Sequence, residues 1–143
     1  MIPCFKTLLI LVRLYLQDSS LDIYEKAFDA GRGWYNGALK FGSSIPRAAL
    51  AVTSFDASSS GVSIRVYYSA NNDRLLEKGW DGRGGWYDGG FSVNSVSASY
   101  VASISWDSVQ IRVYYQKGVD VTAVTEEVWS GGWTPGQNAL PPA

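Results

Sequence analysis

Histidine is absent from the chain. Without it there is no Ser-His-Asp or Cys-His nucleophile and no His-ligated metal site. The single cysteine, Cys4, cannot close an internal disulfide, so the fold does not depend on an oxidising compartment. Charge is scarce: 12 Lys and Arg against 13 Asp and Glu leave a net charge of -1. Nucleic acid and anionic membranes require a basic surface, so neither partner fits. Long apolar runs are missing. Leu8 to Val12 is cut by Arg13 and falls far below the roughly 20 residues of a membrane span, which excludes insertion by such a helix. No small-x-small cleavage site follows, so a β-strand is preferred there to a cleaved signal. Localisation then stays open between the cytoplasm and a non-classical route to the outside or the cell surface. No Walker loop, dinucleotide fingerprint or metal-spaced cluster is present, and no cofactor is implied. Gly82-Arg83-Gly84-Gly85 follows a strand but opens no helix, which makes it a turn and not a phosphate cradle.

The chain does contain enough apolar material for one core. Its 143 residues are 46% hydrophobic and 14% aromatic, with 15 Gly and 6 Trp. That length suits a single domain. The composition points to short strands, tight turns and exposed flat rings.

An internal repeat organises these residues. Val12-Arg13-Leu14-Tyr15 returns as Ile64-Arg65-Val66-Tyr67 and as Ile111-Arg112-Val113-Tyr114, with the arginines 52 and 47 residues apart. A polar turn follows each: Asp18-Ser19-Ser20, Asn71-Asn72-Asp73, and 117–120. Next comes a glutamate three residues before an aromatic: Glu25 and Phe28, Glu77 and Trp80, Glu126 and Trp129. A glycine turn with a second tryptophan closes each unit, at Trp34, Trp86 and Trp133. The second copy reads as strands over 50–55, 63–69, 75–81 and 85–91, and the third begins near 100–106. Four strands per 40 to 50 residues is the pattern of a β-propeller blade. The expected fold is therefore all-β, with three four-stranded antiparallel blades. Residues 1–11 form an atypical segment, 12–44 an incomplete first blade, 45–91 the second, and 92–143 the third with a tail. The first blade's innermost strand is missing or replaced by 7–11.

Propellers close with four to eight blades, and a three-blade arc leaves two apolar faces in water. Two expectations stay open: two chains pair into a closed six-bladed ring, or the chain is a fragment of a longer propeller.

Within each copy the arginine and glutamate lie symmetrically about the turn. A hairpin centred there makes them direct cross-strand neighbours on one face. Their pairing admits a structural salt bridge or a polar clamp for a ligand with adjacent hydroxyls, such as a sugar. The glycine-flanked tryptophans admit blade packing or an apolar platform for a sugar's C–H face. Catalysis fits poorly. Glycosidases need two carboxyl groups across one bond, whereas each copy repeats one glutamate, already beside an arginine expected to lower its pKa.

The order Ile-Arg-Val-Tyr, turn, Glu-x-x-Trp-Asp-Gly-x-Gly-Trp-Tyr-x-Gly resembles the repeat of fucose-binding six-bladed propeller lectins. These are the Aleuria aurantia lectin type of fungi and two-blade bacterial relatives that trimerise into the same ring. Ile64 to Phe91 is the closest match, and the ending Asn138 to Ala143 is also similar. The resemblance covers Val12 to Ala143 and implies the last three blades of a six-blade chain. It implies binding of L-fucose and fucosylated glycans without turnover, and no metal. Its sites lie between blades. Carried over, the first uses Arg13, Glu25 and Ala38 with Trp80 and Trp86. The second uses Arg65, Glu77 and Gly90 with Trp129 and Trp133. A third uses Arg112, Glu126 and Gln137, with Phe28 and Trp34 of a second chain in a closed homodimer. Gln137 and Phe28 depart from the small residue and the tryptophan of the other copies. The alternatives are a protein-interaction propeller with structural Arg–Glu pairs, or a truncated, non-functional paralogue.

Overall fold

The computed structural model describes residues 11–42, 44–56, 61–97, 99–107, 109–118, 123–137 and 140. Eleven strands in these residues form three antiparallel sheets. The first holds β1 (Leu11–Gln17), β2 (Ile23–Asp29) and β3 (Gly33–Phe41) in that order. The second holds β4 (Leu50–Asp56), β5 (Val62–Ala70), β6 (Arg74–Trp80) and β7 (Tyr87–Asn94), again in chain order. The third holds β8 (Val101–Trp106), β9 (Gln110–Tyr115), β10 (Thr125–Trp129) and β11 (Trp133–Pro135).

The strands form where apolar and polar residues alternate, because a pleated strand sends successive side chains to opposite faces. In β9, Ile111, Val113 and Tyr115 are buried while Gln110, Arg112 and Tyr114 are only half-buried. The expected four-strand units are present in the second and third sheets. The first three strands of the second sheet agree with expectation within one residue at each end, and the fourth runs to Asn94, three residues further than expected. The last strand of the second sheet starts at Tyr87, since Gly84 and Gly85 hold left-handed φ of 82° and 90° and make a turn. Leu11 pairs with Asp29 and so extends the Arg13 strand, not an innermost strand. The rest of the expected 7–11 replacement lies outside the described residues.

Two apolar layers join the three sheets. Phe55, Tyr67, Leu75 and Phe91 of the second sheet pack against Ile111, Val113 and Tyr115 of the third. Leu39 and Phe41 of the first sheet pack with Ile64 and Val66 of the second. Each such side chain moved out of water contributes about 1.5–3 kcal/mol. The leading strands of neighbouring sheets also touch: the Thr53 and Ser105 hydroxyls lie 2.6 Å apart, and the Ser105 hydroxyl donates to the Ser54 carbonyl at 2.9 Å. This stacking leaves a crevice between the first and second sheets.

Candidate functional site

The repeat arginine sits in mid-strand on β1, β5 and β9, and the glutamate on β2, β6 and β10. They are not direct neighbours. Arg13 pairs with Ala27, Arg65 with Gly79 and Arg112 with Val128, while Glu25, Glu77 and Glu126 face Tyr15, Tyr67 and Tyr114. The reason is the turn. The β5–β6 hairpin is closed by Ala70 and Arg74 around Asn72, with Asn72 and Asp73 at left-handed φ of 63° and 54°. Its centre is one residue past the midpoint of Arg65 and Glu77, and such a step moves every pairing by two. The face is conserved, so the pair becomes diagonal and the long arginine still reaches. The Nε to Oε1 distances are 3.4, 4.0 and 3.6 Å in the three copies.

The other glutamate oxygen meets backbone. Pairing of β2 with β3 slips between Tyr24 and Lys26, so Gly37, Ala38 and Leu39 face the single residue Glu25. This bulge turns unpaired amides toward the carboxylate. Ala38 N–H donates to Glu25 Oε2 at 2.9 Å, Gln137 N–H to Glu126 Oε2 at 3.1 Å, and Gly90 N–H to Glu77. The N–H groups of Ala38, Gly90 and Gln137, residues expected beside the ligand, thus already donate to the glutamates. Gly37, Gly89 and Gly136 are required here, because a Cβ at each would overlap the carboxylate of Glu25, Glu77 or Glu126.

Two aspartates complete the arginine's surroundings. Arg13 Nη1 donates to Asp29 Oδ1 at 2.9 Å, and Arg65 Nη1 to Asp81 Oδ1 at 2.8 Å. The hydroxyls of Tyr35 and Tyr87 donate to the second oxygens of those aspartates, each at 2.5 Å. Burial pushes the Asp81 carboxyl up, but Tyr87 and Arg65 outweigh it and hold the group below the usual range. Burial, then the bond to Asp81, pushes the Tyr87 hydroxyl up to about 12. Glu77 goes the other way from the expected effect of its arginine. Its burial dominates Tyr67, Arg65 and the Gly90 amide, and its pKa is raised.

The five residues expected in the first site converge on one crevice of about 720 Å3. Arg13, Glu25 and Ala38 line it from the first sheet, Trp80 from β6 and Trp86 from the turn before β7. The indole centroids are 5.9 Å apart, and Tyr15 meets Trp86 edge-on at 5.8 Å. Between the second and third sheets, Gly90 faces Trp133, whose partner Trp129 lies 5.5 Å away. Trp133 also packs against Phe91 at 4.6 Å, so this tryptophan holds the second and third sheets together. Arg112, Glu126 and Gln137 face outward from the third sheet. Phe28 and Trp34, 5.4 Å apart, belong to the first sheet's far face, and Trp34 is 58% exposed. One chain does not bring these two groups together.

The reading from sequence missed the tyrosines opposite the glutamates, the bulge glycines and the Asp–Tyr support. The tyrosines stand in the repeated tetrapeptide and were readable. The glycines shift from twelve residues after the glutamate to ten in the third copy, which hides them. A mid-strand cation, a buried carboxylate and indole faces in one crevice can take a neutral polyol with one apolar patch.

The family described as fungal fucose-specific lectin matches residues 2–143, so the likeness reaches ten residues before Val12, where the repeat begins. A fucose-specific lectin of Aspergillus fumigatus is 34% identical over an alignment of 140 residues that covers 92% of this chain and 44% of that protein. The chain thus spans less than half the length of that curated relative. The SapL1 lectin, solved in complex with alpha methyl fucoside, is 45% identical with a TM-score of 0.83, over 93% of this chain and 44% of its own. The Aleuria aurantia lectin, described as a six-bladed β-propeller, gives 30% and 0.79, over 90% of this chain and 44% of its own. A fucose lectin from Kordia zhangzhouensis, in complex with methyl-fucoside, gives 29% and 0.68, over 90% of both chains. The three sheets are therefore β-propeller blades, half the number in a six-bladed ring, and the chain belongs to the fungal fucose-specific lectin family.

Proposed function

We propose that the chain binds L-fucose and fucosylated glycans in its inter-blade crevices, without catalysis. The observation that carries this is the first crevice, where a polar triad from one sheet and two indoles from the next line one cavity of about 720 Å3. Fucose suits that division, because its methyl group and C–H face can rest on the rings while its hydroxyls meet Arg13 and Glu25. Relatives named for fucose specificity and bound to fucosides support the same ligand. Each single site is weak, and several on one rigid body gain avidity on a glycan-coated surface through effective concentration.

A second copy of the chain completes the ring and the third site. Supporting this, Leu14 on the first sheet's far face is 45% exposed, while its repeat equivalent Val66 is 0% exposed beneath the first sheet. Trp106 on the third sheet is 41% exposed, whereas its equivalent Phe55 is 8% exposed beneath the third sheet. Each end face repeats a pattern that the chain itself covers elsewhere.

Thermal unfolding with and without methyl α-L-fucoside tests the reading. At a hundredfold excess over Kd the ligand adds about 2.7 kcal/mol, a readily measured rise in Tm. Arg65→Ala removes one class of site and part of the rise. An unchanged Tm at millimolar fucoside, or the same rise with mannose, overturns the proposal.

A further inference from the structure

The three repeat arginines are not held alike. In the first two copies the Nη1 corner of the guanidinium is fixed by three acceptors. Arg13 Nη1 donates to Val12 O at 2.9 Å, Phe28 O at 3.2 Å and Asp29 Oδ1 at 2.9 Å. Arg65 Nη1 donates to Ile64 O at 2.9 Å, Trp80 O at 3.1 Å and Asp81 Oδ1 at 2.8 Å. Tyrosine steadies each aspartate and also lies beneath the guanidinium, with centroid distances of 6.0 Å for Arg13 over Tyr35 and 5.6 Å for Arg65 over Tyr87. Those tyrosines pair with Ala27 and Gly79, the residues opposite the arginines.

The third copy replaces both members together. Ser130 follows Trp129 where Asp29 follows Phe28 and Asp81 follows Trp80. Thr134 pairs with Val128, the residue opposite Arg112, where the other copies have tyrosine. Among the described residues Arg112 Nη1 keeps the Ile111 carbonyl at 3.0 Å, and the guanidinium rests over Trp106 at 4.7 Å. Ser130 and Thr134 turn elsewhere: Ser130 accepts from Gln110 at 3.2 Å and Thr134 donates to Val128 O at 3.5 Å.

We infer that Asp29 with Tyr35, and Asp81 with Tyr87, are positioning pairs that pre-orient the sugar-binding arginine, and that the third site, built without such a pair, binds sugar more weakly than the first two. This rests on the lectin reading given above. A planar fork whose one corner is fixed offers its other donors in one direction, so less order is lost when a hydroxyl docks. A charge-assisted hydrogen bond of this kind separates held from loose arginines by about tenfold in affinity.

Arginine side-chain NMR on the whole chain tests this, first without sugar and then with methyl α-L-fucoside. Rotation about Nε–Cζ is expected to be slow for Arg13 and Arg65 and fast for Arg112. Asp81→Asn frees Arg65 and weakens its site about tenfold, while Arg13 keeps its rotation and affinity as the internal check of folding. The double substitution Ser130→Asp with Thr134→Tyr slows Arg112. Equal rotation of all three arginines overturns the inference whatever the fucoside does, as does an Asp81→Asn chain with unchanged Arg65 rotation and affinity. A fucoside that perturbs none of the arginines, with the stated rotation pattern intact, overturns the sugar reading instead.

Discussion

Glu77 carries two opposed demands. In the proposed site its carboxylate stays ionised to accept from Arg65 and from a docked hydroxyl, yet burial favours its neutral form. The raised pKa means protonation begins at a higher pH than for an ordinary glutamate, near 4.3. Asp81 titrates in the opposite sense, held down by Tyr87 and Arg65 against its own burial. In linkage terms, the folded chain holds a proton on Glu77 more tightly than the unfolded chain. That contribution to stability is present below the unfolded pKa and is lost as pH rises through the folded one. The Asp81 contribution is present above about pH 3.9 and is lost as pH falls through its lowered value. Acidification therefore removes sugar binding at the second site before it removes the Arg65 clamp. Fucoside titrations followed by tryptophan fluorescence from pH 7 to 4 are expected to show site-two affinity falling while far-UV ellipticity stays constant. Glu77→Gln flattens that profile. An affinity that holds level down to pH 4 would exclude this role for Glu77.

At the scale of the strand, the bulge on β7 is what turns a ladder into a site. Gly89, Gly90 and Phe91 face Glu77 where regular pairing would supply one residue. A methyl group on Gly89 would occupy the place of the Glu77 carboxylate. Gly89→Ala is expected to cost about 1–3 kcal/mol by overpacking and to weaken fucoside at the second site at least tenfold. Gly132, around which a Cβ meets nothing within 4 Å, serves as the control, with Gly132→Ala inside about 0.5 kcal/mol in urea unfolding. A Gly89→Ala chain as stable as that control would mean that the carboxylate moves aside freely.

The strands themselves were legible because half-buried strands must alternate, as Ile111, Val113 and Tyr115 do. The hairpin centres were not, since left-handed Asn72 and Asp73 are a backbone choice that composition permits but does not dictate. Repetition made Arg65, Glu77 and the tryptophans visible. Asp29 and Asp81 recur after the aromatic in two copies only, since Ser130 stands there in the third, so repetition marks them less strongly than Arg65 and Glu77.

For the whole molecule the uncovered apolar surface is its pair of end faces. If the third sheet of one chain covers the first sheet of another, and the reverse contact forms at the same time, six blades close with two-fold symmetry. Closure makes every interface residue count twice per dimer. Leu14 lies where Val66 is sealed inside the chain, so burying it contributes about 2 kcal/mol at each interface. Leu14→Glu removes that burial and places a carboxylate against an apolar sheet. A loss of about 4 kcal/mol per dimer raises the dissociation constant roughly a thousandfold. Light scattering is expected to give twice 15.6 kDa for the wild-type chain and a single chain mass for Leu14→Glu at micromolar concentration. The variant should still bind fucoside through Arg13 and Arg65, whose crevices lie within one chain, while Arg112 loses Phe28 and Trp34 of the second copy and with them its site. A wild-type mass of one chain that binds at all three arginines would refute the ring, because the third site would then have found its aromatic wall without a second copy.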